Sequence, residues 1–193
     1  MMPPMIDRKA FAGMRAEMKA HEARREQVIA LSRDIIRASK QIIYAVHRGD
    51  MAKAKKEIAL TTKDRQKLAS LGSGIDTDID GTALQEYVEA LCYYSFVAEK
   101  KILTASSLGV DTTSYLLGLC DLTGELARRA VNAVIRKEFS ELSLVHKAVE
   151  GIYGEFLQFD LRNGELRKKS DAIKWNLKKI EEVLYDVRVK GMC

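Results

Sequence analysis

Apolar residues recur along the chain in steps of three and four, the spacing that places side chains on one face of an α-helix. The clearest case predicts a helix over about 17–48, whose apolar stripe is Val28, Leu31, Ile35, Ala38, Ile42 and Val46. The same spacing predicts five further helices, over about 51–71, 82–107, 112–137, 139–161 and 165–190. No alternation typical of strands extends over a useful length. The pattern therefore predicts an all-α protein.

Proline does not interrupt any of the predicted helices. Both prolines, Pro3 and Pro4, lie at the N-terminus, so no later proline removes a backbone donor. The clearest loop is the glycine-rich stretch over 72–81. We expect a flexible segment over residues 1–16 and a single helical domain over 17–193. That domain is expected to be a bundle of about six to seven mostly long helices.

Composition and charge narrow the class of protein. The 193 residues are 47% hydrophobic and 31% charged, with a net charge of +5, a small excess that permits a polyanionic partner without requiring one. No apolar run approaches the roughly 18–20 residues of a membrane span, and the N-terminus does not resemble a signal peptide. We expect a cytoplasmic protein that makes no membrane contact. Cys92 and Cys120 are expected to be reduced core residues, and Cys193 an exposed thiol in the tail.

The third predicted helix carries carboxylates among side chains that are otherwise almost all apolar. Glu86 and Glu89 point within about 60° of each other and have Tyr93 and Phe96 as neighbours on that face. A helix that is apolar on all sides is normally buried. A buried, ionised carboxylate is costly unless a positive group compensates it, so these two acids require partners.

The fourth predicted helix repeats this arrangement. Asp121 and Glu125 are four residues apart and therefore share a face. Gly118 and Gly124 beside them remove side-chain bulk, which allows another helix to approach closely. Two helices that each contribute two carboxylates are able to enclose a divalent cation, and Mg²⁺ and Mn²⁺ prefer such oxygen ligands.

Ordinary ion pairs would satisfy the same acids without a metal. Arg128 and Arg129 follow Glu125 at three and four residues, and Lys100 shares a face with Glu89, so some of the carboxylates have a possible cationic partner nearby. A contact between subunits would also satisfy the acids. Because an acidic pair at this spacing is a weak motif, the residues alone leave the metal site, the ion pairs and the subunit contact open.

The acidic helices also carry a resemblance to a known family. The stretches QEYVEA, YLLG, DLTGEL and LSRDI resemble the factor X subunit type of the translin family; they lie at 85–90, 115–118, 121–126 and 31–35. The C-terminal stretches LRKK and KIEEVLYD, at 166–169 and 179–186, are similar to translin itself. The resemblance covers about residues 20–191.

This resemblance implies a bundle of about seven helices that assembles into a closed oligomer, commonly an octamer, and binds single-stranded RNA and DNA. It also implies a Mg²⁺- or Mn²⁺-dependent endoribonuclease. Its catalytic and metal-binding acids match Glu86, Glu89 and Asp121, with Glu125 beside them. The chain lacks the long insertion after the third helix and the C-terminal extension of animal factor X proteins. It mixes features of both subunit types, which favours a self-assembling prokaryotic, archaeal-type homologue.

Basic residues must then hold the nucleic acid strand. The candidates are Arg24, Arg25, Arg33, Arg37, Lys40, Lys53, Lys55, Lys56 and Lys63 on the first two helices, and Arg128 and Arg129 near the acids. Each candidate on the first two helices is explained more readily as a solvated surface charge, and Arg128 and Arg129 as salt-bridge partners of Glu125. The three histidines, His21, His47 and His146, show no metal-type spacing and are expected to be structural or exposed.

Two main alternative functions remain open from the sequence, and the acids alone also leave open a hydrolase that acts on small phosphorylated compounds. One is a non-catalytic protein that binds single-stranded RNA or DNA and whose acids form structural ion pairs. The other is a scaffold that assembles through its apolar helices and binds no nucleic acid.

Overall fold

The computed structural model describes residues 6–72 and 77–191, and it contains seven α-helices within those ranges. They are α1 (Arg8–His47), α2 (Met51–Ser70), α3 (Ile79–Glu99), α4 (Ala105–Leu108), α5 (Thr112–Ile135), α6 (Phe139–Phe156) and α7 (Glu165–Val189). No strand occurs in the described ranges. The prediction of an all-α bundle of six to seven helices is confirmed. None of the described helices is both long and apolar enough to span a bilayer.

Helix α3 lies at the centre of the bundle. It packs against α1 on one side and α5 on the other, while α2 covers α1 and α7 covers α5. Tyr87, Val88 and Tyr93 of α3 are among the most deeply buried side chains. From α1, the predicted stripe members Ile35 and Ile42 are fully buried. Each such side chain contributes about 1.5–3 kcal/mol to folding when it leaves water.

Aspartate side chains cap three of the helices. The Asp50 side chain accepts a hydrogen bond from the backbone N–H of Lys53 at 3.0 Å, and Asp111 accepts one from Ser114 at 3.0 Å. These are N-caps, which satisfy backbone donors that the helix itself leaves unpaired. Cys92 and Cys120 are buried free thiols, as predicted, whereas Cys193 and part of the predicted 72–81 loop lie outside the described residues.

Helix α1 begins earlier than predicted. It starts at Arg8 rather than near residue 17, because Asp7 caps it by accepting hydrogen bonds from the backbone N–H groups of Lys9 at 2.9 Å and Ala10 at 3.1 Å. No residue of α1 before Val28 is buried. Over residues 8–27 the periodic apolar signal is confined to Phe11, Met14 and Met18, which are exposed. We call this exposed stretch the α1 arm.

The third helix ends earlier than predicted, at Glu99 rather than near residue 107. The next residue, Lys100, adopts a left-handed conformation with φ of 59°, which ends the helix. The chain then runs without helix to α4, whose N-cap Thr104 forms a reciprocal capping box with Ser107. The predicted fifth helix likewise ends at Phe156 rather than near residue 161.

Gly118 allows α5 to approach α3 very closely. A Cβ atom at Gly118 would lie 2.6 Å from Val88 Cβ and 2.8 Å from the backbone oxygen of Gln85. The predicted role of Gly118 in close helix packing is confirmed. Gly124 differs, since a Cβ there would meet only Asn176 Nδ2, at 3.8 Å, which is an ordinary contact. The prediction that Gly124 allows close packing was wrong.

Gly118→Ala is expected to lower the melting temperature by about 2–10 °C, because the added methyl group must push α3 and α5 apart. Thermal unfolding followed by circular dichroism measures the change. The matched control is Gly151→Ala on α6, where a Cβ would meet nothing within 4 Å. There the helix propensity of alanine should leave stability unchanged or raise it by up to about 1 kcal/mol. Equal melting temperatures for the wild type and Gly118→Ala would contradict the close approach.

Candidate active site

The four predicted acids line one pocket. Glu86 and Glu89 come from α3, and Asp121 and Glu125 come from α5, so the α3–α5 contact brings them together. The pocket has a volume of about 400 Å³, and its opposite wall is formed by α7, including Lys169 and Asn176. The structure therefore places all four carboxylates at one site. Their roles in catalysis and metal binding remain predictions.

Lysines from two other helices approach two of these carboxylates. Lys40 Nζ of α1 lies 3.3 Å from Glu86 Oε1. Lys169 Nζ of α7 lies 2.6 Å from Asp121 Oδ2 and also donates to Gln85 Oε1 at 3.1 Å. Burying part of a carboxylate is less costly when a positive group is this close.

Glu125 has a different partner, the buried His47 at the end of α1. His47 Nε2 is hydrogen-bonded to Glu125 Oε2, and His47 Nδ1 lies 3.0 Å from the hydroxyl oxygen of Tyr93. The His47 hydrogen bond holds the pKa of the Glu125 carboxyl below its usual value, despite the opposing effect of burial. Burial raises the pKa of Tyr93 to about 12. Because the tyrosine hydroxyl is therefore neutral, it can donate to Nδ1 while Nε2–H donates to Glu125.

Glu89 is the one acid of the four with no ion pair among the described residues. Its burial, followed by the nearby charges of Asp121, Glu86 and Glu125, raises the pKa of the Glu89 carboxyl to about 8. Lys169 acts in the opposite direction but does not compensate. Glu89 is therefore mostly protonated at neutral pH. A cation bound beside it would favour loss of that proton.

The chemistry of the donor set suits a hard divalent cation, which takes carboxylate oxygens together with water. The four acidic side chains do not point toward one common position. Within the described ranges, no group of three or more His, Cys, Asp or Glu side chains is arranged to hold a metal ion as it stands. The acids of α3 and α5 could hold Mg²⁺ or Mn²⁺ only after Lys40 and Lys169 yield some of their contacts.

The predicted ion pairs around the acids are confirmed only in part. Arg128 lies 3.7 Å from Glu125 Oε2, as predicted. Arg129 instead binds Glu141 at 2.7 Å and lies beside Tyr93, and Lys100 lies 3.6 Å from the same Glu141. The suggested pairs of Arg129 with Glu125 and Lys100 with Glu89 were therefore wrong. Both cations turn toward α6 because Glu141 stands at its first turn.

The basic residues predicted to hold a strand are spread over α1, α2 and α5. Two of them on α1 are engaged locally, since Arg25 lies 3.5 Å from Glu22 and Arg37 lies 3.2 Å from Asp34. All of the basic candidates are exposed except Arg25 and Arg129, which are half-buried. Of the candidates in the described ranges, Lys40 and Arg128 contact the acids. Contact of any of these residues with nucleic acid remains a prediction.

Sequence reasoning did not connect His47, Gln85, Lys169 and Asn176 with this site. His47 was expected to be structural or exposed, and it is buried in direct contact with Glu125. Lys169 and Asn176 are seven residues apart and therefore share one face of α7. That spacing is visible in the sequence, but nothing in it points to acids on α3 and α5.

Glu89→Gln keeps the shape of the side chain but cannot ionise. In the wild type, the unfolded state loses the Glu89 proton near pH 4.5 while the folded state keeps it up to about pH 8. The unfolded state therefore binds fewer protons across this window, so wild-type stability falls with rising pH relative to the variant. Melting temperatures measured from pH 4.5 to 9 should show the variant gaining on the wild type up to about pH 8 and then levelling off. A constant difference across the range would show that Glu89 titrates normally.

Comparison with known proteins identifies the relatives of this chain. A model described as the Translin family matches residues 23–191. The chain is 27% identical to mouse Translin-associated protein X over 228 aligned positions, covering 94% of this chain and 78% of that protein. It is 30% identical to an uncharacterized protein of Methanocaldococcus jannaschii, in an alignment that covers 80% of this chain and 72% of that protein. Chicken Translin is 37% identical over 83 residues, which cover 43% of this chain and 36% of that protein. The 228 positions of the mouse alignment exceed the 193 residues of this chain, so the mouse protein contains insertions.

Solved structures share the whole fold. The crystal structure of apo-NeC3PO superimposes with a TM-score of 0.87 at 26% identity, covering 95% of this chain and 98% of that one. AfC3PO in complex with duplex RNA gives a TM-score of 0.85 at 22% identity, covering 94% and 97%. The bundle predicted from the apolar pattern is therefore the fold of these proteins.

Proposed function

Because this chain belongs to the translin family, we propose that it is a Mg²⁺- or Mn²⁺-dependent endoribonuclease acting on single-stranded RNA. The main support is the single pocket that gathers Glu86, Glu89, Asp121 and Glu125 from two helices. These acids lie in the stretches that resemble the factor X subunit type. A relative with 27% identity over most of the chain, mouse Translin-associated protein X, is by its name a protein of this subunit type.

The acids divide into two groups by their surroundings. Glu86, Glu89 and Asp121 would hold the cation, directly or through water. Glu125 is fixed by His47 through one oxygen, Oε2, which leaves Oε1 to act as a further ligand or to accept a proton from an attacking water. When bound, a divalent cation lowers the pKa of a coordinated water and stabilises the charge that develops on phosphate.

The charge of the pocket also links the cation to RNA binding. The ionised carboxylates of the pocket would repel a phosphate backbone, and only Lys40, Lys169 and Arg128 contact them with permanent positive charge among the described residues. The positive charge of a bound cation would therefore stabilise the ionised acids and reduce their repulsion of the strand. The basic residues of α1 and α2 would hold the remainder of the strand.

An exposed apolar face on the α1 arm supports assembly into a homo-oligomer. Phe11, Met14 and Met18 are spaced so that they share one face of the helix, and each is more than half exposed. Exposed apolar patches of this kind are typical of contact surfaces. We propose that this face contacts another copy of the chain within a closed shell, an octamer as the resemblance implies.

One observation favours the alternative of a non-catalytic protein that binds single-stranded RNA or DNA. Lys40, His47 and Lys169 already engage three of the four acids. Such contacts satisfy the carboxylates without any metal. Under this alternative the acids stabilise the bundle, and nucleic acid binds through the basic helices alone.

The decisive experiment follows cleavage of a 5′-labelled single-stranded RNA by the purified protein in Mg²⁺, Mn²⁺ or EDTA. We expect cleavage only with a divalent cation, and its loss by at least about 100-fold in Glu86→Ala/Glu89→Ala, because two proposed ligands are removed. RNA binding, measured by anisotropy at two salt concentrations, should survive in that variant. A duplex of the same sequence and a single-stranded DNA test the substrate class, since a structural neighbour binds duplex RNA.

Glu150→Ala/Glu155→Ala is the matched control, since it removes two exposed carboxylates from α6. It should cleave at the wild-type rate. Tight, salt-sensitive RNA binding with no cleavage in any metal would select the alternative function.

Assembly is tested on the α1 arm. Met14→Asp/Met18→Asp places charge in the exposed apolar face and should lower the molar mass measured by light scattering, ultimately to that of one chain. Ala16→Asp/Ala23→Asp makes the same charge change on the opposite face of the same exposed helix and should leave the mass unchanged. An unchanged mass in the methionine variant would remove the arm from the subunit contact.

A further inference from the structure

Lys169 occupies an unusual position in the acidic pocket. It is the residue through which α7 contacts the acids of α5, with Nζ at 2.6 Å from Asp121 Oδ2. The same ammonium group donates to the neutral Gln85 Oε1 at 3.1 Å. It is near enough to Glu89 to lower the pKa of that carboxyl. One ammonium group thus contacts both α5, at Asp121, and α3, at Gln85.

We propose that Lys169 is an exchangeable cation of this site. Its ammonium group competes with a divalent cation for Asp121 and, once displaced, binds a phosphate oxygen of the RNA. The inference rests on the proposed function of the pocket as a metal-dependent nuclease site. It adds a residue of α7 to the four acids of α3 and α5.

Lys169 differs from His47 and Lys40, which also contact the acids, in a way that suits exchange. His47 is almost completely buried and is fixed on both sides by Glu125 and Tyr93. Lys40 has a longer contact with Glu86, 3.3 Å, and its side chain is 65% exposed. Lys169 combines a short contact with a side chain that is 31% exposed. It binds tightly enough to compete and retains room to move.

Charge explains why the two cations exclude each other. A divalent cation bound by Asp121 would stand within a few ångströms of the ammonium group, and like charges at such distances repel strongly in a partly buried site. Lysine has a long, flexible stem, so the ammonium can leave Asp121. Gln85 Oε1 offers a neutral acceptor that keeps it beside the pocket, where a phosphate of the substrate would lie.

The sign of one measurement separates this role from a structural salt bridge. If Lys169 only holds Asp121 in place, its removal weakens metal binding, because the ligand loses its orientation. If Lys169 competes with the metal, its removal strengthens metal binding. Affinity for Mn²⁺, measured by calorimetry or by the electron paramagnetic resonance of free Mn²⁺, therefore decides without reference to activity.

The experiment compares the full chain with Lys169→Met, which keeps an apolar stem and removes the charge. We expect Mn²⁺ to bind about 3- to 30-fold more tightly to the variant. RNA cleavage at saturating Mn²⁺ should fall at least about tenfold in kcat, because the ammonium no longer reaches the phosphate. Lys169→Arg retains the charge and should bind Mn²⁺ within about twofold of the wild type. Lys169→Gln repeats the test if the methionine variant fails to fold.

Lys168→Met is the matched control. It removes the same charge from the adjacent exposed position of α7 and should change Mn²⁺ affinity less than about twofold, since exposed charges are screened. Equal tightening in this control would show a general charge effect and overturn the inference.

Two results separate the failure of this inference from the failure of the proposed function. If the wild type binds Mn²⁺ and cleaves RNA while Lys169→Met binds Mn²⁺ no more tightly, only the role of Lys169 is wrong. If the wild type neither binds Mn²⁺ nor cleaves RNA, the proposed function and this inference both fall.

Discussion

The burial of α3 between α1 and α5 is the constraint on which the other features of the site depend. This helix is apolar on nearly every side, and burying Tyr87, Val88 and Tyr93 stabilises the bundle. Glu86 and Glu89 belong to the same helix, so its burial also places these two carboxylates close to the core. Because ionised carboxylates are costly in such surroundings, the helices around the pocket must supply groups that compensate them. Lys40 and His47 on α1 and Lys169 on α7 meet that need for three of the acids.

Glu89 shows what happens where no such partner is present. It has no ion pair in the described part of the chain, and it keeps its proton to about pH 8. Glu125, one turn after Asp121 on α5, has a lowered pKa because His47 donates to it. The surroundings therefore shift the pKa values of two carboxylates in the same pocket in opposite directions. Such a separation is typical of sites that move protons, and it arises here from the same helix packing that forms the core.

Most of the fold was predictable from the sequence, because burial on one side imposes a period of three and four on apolar residues. Ile35 and Ile42 carry that period and are fully buried. The α1 arm has only Phe11, Met14 and Met18 at that spacing, and no residue of the arm is buried, so its helix was marked mainly by propensity and by the Asp7 cap. The break after Glu99 left no signal either, since the residue with positive φ is Lys100 and lysine does not mark such positions in a sequence.

The acids of the site were predictable for the opposite reason, because charged residues are out of place on buried helices. Their partners were not. Lys169 lies 48 positions from Asp121, and His47 lies 78 positions from Glu125. Lysine and histidine are common on surfaces, so neither the residue type nor the local spacing marks them. Only the packing of α1 and α7 on the central pair of helices brings them to the acids.

The uneven burial of α1 divides a single helix into two populations of backbone amides. Over residues 28–47 the amides are protected by the core and exchange with solvent only when the bundle opens. Over the arm, residues 8–27, each amide depends on helical hydrogen bonds alone, and an uncovered helix of that length frays readily in water. Deuterium uptake along α1 should therefore change abruptly near Val28. The same profile read at high and low protein concentration would distinguish a bare arm from one sheltered by a second chain.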